Sequence, residues 1–344
     1  MNALDWLAEP AALIVFAGLL GLLVGSFLNV VILRLPRRLE HEWREQAREI
    51  LATDAGAVGT ADASACTAEY AYPAPDSDED AHATAQADIA PRVPETGVDV
   101  VEAPLPAADG AREVPPPDLV FTASHCPHCK HPLSPLENIP LLSWLALRGR
   151  CRHCGAPISW QYPLVELLSA LASAVVAWRF GFGPALAAAL VFTWILIAAS
   201  GIDVRTQLLP DQLTLPLLWL GLLGSLVPLF VDPSAAIVGA TVGYLSLWCV
   251  FWLFKLGTGK EGMGYGDFKL LAALGAWMGA TSLLPIVLLS SLVGAIVGGI
   301  ALAAKGHDRS TPIPFGPFIA AAGWLWFVFG RELGELYATL FGLV

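Results

Sequence analysis

Uncharged apolar stretches long enough to cross a bilayer recur along this chain, and no other feature restricts its fold as strongly. A helix needs about 20 such residues to traverse a hydrocarbon core of about 30 Å. Residues 11–33 form a run of 23 without a charge, residues 184–202 one of 19 and residues 212–231 one of 20. Residues 233–254 add 22 and residues 310–330 add 21. Residues 162–178 are a weaker span, with Glu166 near its start. Residues 270–304 stay uncharged for 35 positions. As one helix that run would measure about 52 Å, so two short spans turning near Gly279-Ala-Thr-Ser282 fit better. Only 14% of the 344 residues are charged and 56% are hydrophobic, against about 25% charged in an ordinary soluble domain. The expected fold is an all-α polytopic membrane protein of about eight transmembrane helices.

Charge placement orients these spans. With the first loop cytoplasmic, 17 of the 19 Lys and Arg residues fall inside, and only Arg179 and Arg331 fall outside. The positive-inside rule thereby supports eight spans with both termini outside. Residues 1–9 lack the basic stretch of a signal peptide, and Arg34, Arg37 and Arg38 follow the first span rather than precede it.

The formal net charge is −11, which excludes a nucleic-acid binder built on a basic face. Residues 40–118 account for it, with 18 of the 30 acidic and 4 of the 19 basic residues; the rest of the chain is at +3. This segment is rich in Ala, Pro, Asp, Glu and Thr. It has too few large apolar groups to offset its ordering entropy and is expected to be largely disordered, with a short helix over residues 40–51. It reads as a tolerated insertion or a partner-binding acidic tail. The chain therefore divides into a first transmembrane helix (1–36), an acidic insert (37–119), a cysteine-bearing cytoplasmic region (120–161) and a seven-helix membrane domain (162–344).

Four of the six cysteines form Cys126-Pro-His-Cys129 and Cys151-Arg-His-Cys154. Two such knuckles can place four thiolates tetrahedrally around a structural Zn2+. The cytoplasm is reducing, which argues against disulfides. His125, His128, His131 and His153 lie close enough in sequence to be alternative ligands or supporting groups. Cys66 and Cys249 are expected to be incidental.

Two aspartates stand at the cytoplasmic membrane edge. Asp203 follows a span directly, and Asp267 ends Gly262-Met-Gly-Tyr-Gly-Asp267. Asp211, after Pro210, reads as an N-cap. The glycines at 262, 264 and 266 allow close backbone approach. Two carboxylates brought together can share a proton, one acting as base and the other as acid, as in aspartic proteases. A proton-coupled transporter with a zinc-stabilised loop could use the same pair.

In combination these segments resemble those of bacterial type IV prepilin peptidases. The resemblance rests on Gly264-Tyr-Gly-Asp267 and Asp203-Val-Arg-Thr-Gln-Leu-Leu-Pro-Asp211. It also rests on Gly25-Ser-Phe-Leu-Asn-Val-Val-Ile-Leu-Arg-Leu-Pro36, the two knuckles and Leu136-Glu-Asn-Ile-Pro140. Tyr162-Pro-Leu-Val-Glu-Leu167 and Pro312-Ile-Pro-Phe-Gly-Pro317 complete it. It covers nearly all of 10–36 and 120–330 in order, and the departure is the long insert. It implies a bifunctional enzyme of the bacterial inner membrane. Such an enzyme cleaves the basic leader from prepilins and pseudopilins on the cytoplasmic side, then methylates the new N-terminal amine from S-adenosylmethionine. By matching position, Asp203 and Asp267 are the protease dyad, and methyl transfer belongs with the zinc-bearing region. A relative with peptidase activity alone is the near alternative, against which the knuckles and Glu137-Asn-Ile-Pro140 argue.

No Gly-x-Gly-x-x-Gly opens a dinucleotide-type fold, so the methyl-donor pocket is of another kind. Glu137, Asn138, Arg148 and Arg150 are the candidates to contact S-adenosylmethionine, or else they are loop structure and positive-inside charge. Glu166 reads either as an interfacial anchor or as a cofactor or substrate contact. Residues 312–317, with three prolines, cannot form regular helix. They border the protease cleft or form a helix-entry loop. Prepilin substrates and membrane lipid are the expected partners.

Overall fold

In a computed structural model, helices account for all the regular structure among the described residues apart from two isolated β-bridges. Those residues are 9–60, 116–119, 124–134, 137–227, 229–260, 262–305 and 314–340. Cys66, most of the acidic insert, and Pro312 and Ile313 lie outside them.

The helices are α1 (Pro10–Thr60), α2 (Leu142–Ala146), α3 (Gln161–Phe180), α4 (Pro184–Thr206) and α5 (Asp211–Gly224). They continue as α6 (Pro233–Thr258), α7 (Tyr265–Met278), α8 (Leu283–Lys305) and α9 (Gly316–Leu340). Five are long and apolar enough to cross a membrane: α1, α3, α4, α6 and α8, the last with the turn before it. The protein is thus a multi-pass membrane protein. α5 and α7, at 14 residues each, rise only about 21 Å and fall short of a full hydrocarbon core.

The 35-residue uncharged run does break where two spans were expected. α7 ends at Met278, Gly279 takes φ 77°, and a 3-10 turn over Ala280–Ser282 leads into α8. The first half of this run makes α7 a core helix. Its residues Phe268, Leu270, Leu271, Leu274 and Ala276 are buried completely. A helix that is apolar on all sides must be surrounded, and α5, α6 and α9 surround this one.

Close crossings make that possible. A Cβ on Gly239 of α6 would collide with the Gly275 carbonyl of α7, so the two backbones touch. Trp277 Nε1 donates to the Leu217 carbonyl of α5 at 2.8 Å. Between α1 and α3, a Cβ on Gly21 would lie 2.6 Å from the Ser169 carbonyl oxygen, and one on Gly25 would lie 2.8 Å from Glu166 Cα. α9 bends at Phe329, whose φ of −120° leaves the helical region, and Arg179 Nε caps the Val328 carbonyl there at 2.8 Å.

Residues 40–115 cluster as a unit separate from the rest. Within it the described residues continue α1 as far as Thr60, nine positions beyond the short helix expected over 40–51. Pairs one turn apart support it, His41 with Glu45 at 3.5 Å and Arg44 with Glu40 at 4.0 Å.

Candidate active site and metal centre

Asp203 sits in the last turn of α4 and is 5% exposed. The helix stops because Gln207 turns left-handed at φ 55°, donating its N–H to the Asp203 carbonyl at 2.8 Å. Pro210 then bars continuation. Asp267 occupies the third position of α7, and its N–H reaches the Gly264 carbonyl at 3.3 Å. An acidic side chain in a first turn is a residue type that helix N-termini favour. Asp267 is 7% exposed. The two carboxylates are close enough to interact electrostatically. The structure therefore brings together the aspartates that the sequence singled out.

The glycines around them have different roles. A Cβ at Gly266 would lie 2.6 Å from Leu209 Cβ, and one at Gly262 would lie 2.8 Å from a ring carbon of Phe254. Gly264 meets nothing within 4 Å and has φ −80°, so neither space nor torsion demands glycine there. The critical glycine lies elsewhere. At Gly316, the first residue of α9, a Cβ would stand 2.5 Å from Asp203 Oδ2. The described end of the proline-rich segment thus abuts Asp203. Asp203 Oδ2 is buried and has no hydrogen-bond partner among the described residues. A water donating a hydrogen bond would satisfy it.

Asp211 corrects an expectation. The N-cap of α5 is Pro210, and Asp211 makes no capping bond. It accepts a 2.6 Å ion pair from Lys269 instead, a partner 58 positions away that local sequence could not indicate.

The four knuckle cysteines converge, with all their sulfurs within 4.8 Å of one another. Cys126 Sγ and Cys154 Sγ are 3.8 Å apart, which matches the edge of a tetrahedron whose metal–sulfur bonds are about 2.3 Å. The knuckles repeat one small turn. Cys126 N donates to His131 O at 2.9 Å, and Cys151 N donates to Ala156 O at 2.8 Å. Lys130 and Gly155 take equivalent positive φ values, 58° and 70°. The backbone N–H groups of Cys129 and His128 bring the Cys126 thiol down to about 6, so it is readily a thiolate, the form that binds metal. His131 and His153 stack on each other at 3.5 Å.

The four cofactor candidates are not gathered by any contact among the described residues. Glu137 turns back on Ser134, accepting from its N–H at 2.9 Å and its hydroxyl at 2.8 Å. These bonds hold its carboxyl below the usual carboxylate range. Asn138, Arg148 and Arg150 are exposed. Arg148 adopts φ 51° in the turn between α2 and the second knuckle.

Sequence reasoning underrated one group. Asn29 is 1% exposed and donates to the Tyr162 carbonyl at 3.1 Å, and Glu166 is 6% exposed and accepts the Leu141 N–H at 2.8 Å. Both lay within quoted motifs. Only packing shows that they share one buried spot.

An all-helical membrane fold with a pair of buried carboxylates and a four-thiolate knuckle suits a membrane aspartic peptidase. Residues 19–180 match the family described as Bacterial Peptidase A24 N-terminal domain, and residues 190–299 match the Type IV leader peptidase family. The chain is 50% identical to the prepilin leader peptidase/N-methyltransferase of Xanthomonas campestris pv. campestris, over 98% of this chain and 96% of that one. It is 48% identical to the protein of that name from Aeromonas hydrophila, over 94% and 93%. The Pseudomonas aeruginosa protein of that name is 46% identical over 99% of both chains. No solved structure matches it. This chain belongs to the type IV leader peptidase family.

Proposed function

We propose that this enzyme removes the leader from type IV prepilins or pseudopilins at the cytoplasmic face of the bacterial inner membrane and then N-methylates the new first residue. The observation that carries the reading is the pair of buried, electrostatically interacting carboxylates on α4 and α7, in a chain alike over nearly its whole length to enzymes named for both activities. Eight spans with both termini outside, counting the short α5 and α7 along with α9, put these aspartates and the knuckles on one side.

The substrate's apolar segment lies in the bilayer, with the scissile bond at the mouth between Asp203 and Asp267. One carboxylate takes a proton from a water held between them as it attacks the peptide carbonyl. The other bears the proton that stabilises the developing oxyanion. Gly316 and Gly266 keep this mouth narrow, because neither site has room for a side chain.

Zinc is the metal that four thiolates of this geometry suit, and a closed four-thiolate site is structural. Cys126, Cys129, Cys151 and Cys154 would hold it, fixing residues 124–158 in shape. S-adenosylmethionine is the methyl donor that this function calls for. Glu137, Asn138, Arg148 and Arg150 stay candidates for its polar contacts, although Glu137 is already engaged by Ser134. The 37–119 insert is a separate segment that carries no signature residue.

Incubation in detergent with a prepilin and S-adenosylmethionine tests the whole reading. Leader loss with methyl incorporation is the expected result. Near-normal cleavage by Asp267→Asn or Asp203→Asn would refute the dyad.

A further inference from the structure

Glu166 poses a problem that the peptidase mechanism does not solve. It lies in the second turn of a membrane-spanning helix and is 6% exposed, yet among the described residues no Lys, Arg or His pairs with it. Its known neighbours are the Leu141 N–H at 2.8 Å and the Ser26 hydroxyl. A buried carboxylate at membrane depth without a countercharge is costly, and such groups mark functional sites. Holding Leu141, which has φ 56°, is a structural use for one oxygen.

The surroundings point to a ligand with donors and positive charge. Three polar residues meet where α1 crosses α3 beside Gly25. Glu166 Cα lies 2.8 Å and Ser169 Cβ 3.0 Å from where a Gly25 Cβ would be. Asn29 Nδ2 donates to the Gly25 carbonyl at 3.3 Å. Among the described residues, Asn29 Oδ1 and Ser169 Oγ are both buried without a hydrogen-bond partner, in residues that are 1% and 0% exposed. Two oxygens lacking partners among the described residues therefore lie at the same helix crossing as Glu166. A primary ammonium has three N–H donors, no acceptor and the missing charge.

The place also fits. Val165 packs in one cluster with Ile202, the residue before Asp203. Gln161 accepts from Arg205 Nη1 at 2.5 Å, so the start of α3 lies along the last turn of α4. Leu142, which follows Leu141, and Leu164, two residues before Glu166, are exposed apolar side chains.

We infer that Glu166, at the same helix crossing as Asn29 and Ser169, receives the α-ammonium of the newly cleaved substrate and takes its proton for methyl transfer. This rests on the N-methyltransferase half of the proposed function. The ammonium loses one proton to the Glu166 carboxylate. The freed nitrogen lone pair then forms the N–C bond to the methyl group as the C–S bond of the sulfonium donor breaks. Those bond electrons stay on sulfur, which leaves as the neutral thioether, S-adenosylhomocysteine. The product is a methylated ammonium beside a neutral Glu166.

The test uses the full-length enzyme in detergent. Binding of a mature-pilin N-terminal peptide, free or N-acetylated, is measured without methyl donor. Wild type should prefer the free amine at least tenfold, and Glu166→Gln should lose that preference. With already cleaved pilin and S-adenosylmethionine, Glu166→Gln should incorporate methyl at least 100-fold more slowly, and Glu166→Asp should recover part of the rate. Leader cleavage from prepilin should stay within twofold of wild type. An E166Q enzyme that keeps the amine preference or methylates normally overturns the inference alone. One that loses cleavage and bound zinc together shows a purely structural strut and overturns it too. A wild-type enzyme that never incorporates methyl overturns the methyltransferase reading, and this inference with it.

Discussion

Lys269 Nζ and Asp211 Oδ1 form a 2.6 Å ion pair that ties the second turn of α7 to the first residue of α5. Lys269 stands two residues after Asp267, and Asp211 stands eight after Asp203. The pair therefore bridges the chain segments leading from the two aspartates, and its geometry bears on how those aspartates face each other.

Its side chains are 28% and 51% exposed, so its direct worth to stability is small, about 0–1 kcal/mol. Its effect should be on catalysis, where a displacement of about 1 Å can cost about 100-fold. Lys269→Met is expected to slow cleavage about tenfold with little change in melting temperature. Asp211→Asn should do the same, and the double variant should be no slower than either single one, because one interaction is lost in all three. Additive losses in the cleavage assay would show that the residues act separately.

Gly316→Ala should remove peptidase activity while the protein stays folded. The new methyl group would stand 2.5 Å from Asp203 Oδ2, displacing the carboxylate or α9. A drop of at least about 100-fold in cleavage is expected for such a misplacement. Gly264→Ala is the control, since nothing lies within 4 Å of its Cβ position, and it should cleave at nearly the normal rate.

The knuckles should bind about one zinc per chain through their four thiolates. Cys126→Ser or Cys151→Ser is expected to lower bound zinc, read by elemental analysis, and to lower the midpoint of thermal unfolding. Full metal content in both variants would move the ligands elsewhere, with His131 and His153 the nearest imidazoles.

Gly239→Val should impair folding rather than chemistry. The Gly239–Gly275 crossing leaves no space for a side chain, because a Cβ would meet the opposite carbonyl. Wedging α6 from α7 should cost at least about 1–3 kcal/mol and loosen the helix that carries Asp267. Yield and thermal unfolding in detergent would measure it. Wild-type stability would mean that the crossing opens freely.

Much of the site was legible because membrane chemistry leaves few options. Asp203 and Asp267 stood out as charges at the ends of uncharged runs. The knuckles stood out because paired Cys-x-x-Cys units have few other uses. The break at Gly279 followed from length alone, since 35 residues exceed one span. Other features lay beyond local reading. Asp211 looked like a cap, since Pro210 precedes it, but its partner Lys269 is 58 positions on. The role of Gly316 depends on α9 meeting α4, and nothing in Phe315-Gly-Pro317 announces that contact.

The sequence by itself determined that this chain is a helical membrane protein, that its 35-residue uncharged run must break, and which carboxylates and thiolates are candidates for chemistry. Those properties follow from desolvation and hydrogen bonding, which act residue by residue along the chain. Only the tertiary structure decided that α7 is enclosed by α5, α6 and α9, that Gly316 abuts Asp203, and that Asn29, Ser169 and Glu166 share one buried spot. Those relations arise where backbones cross at glycine, and a crossing belongs to two distant segments at once.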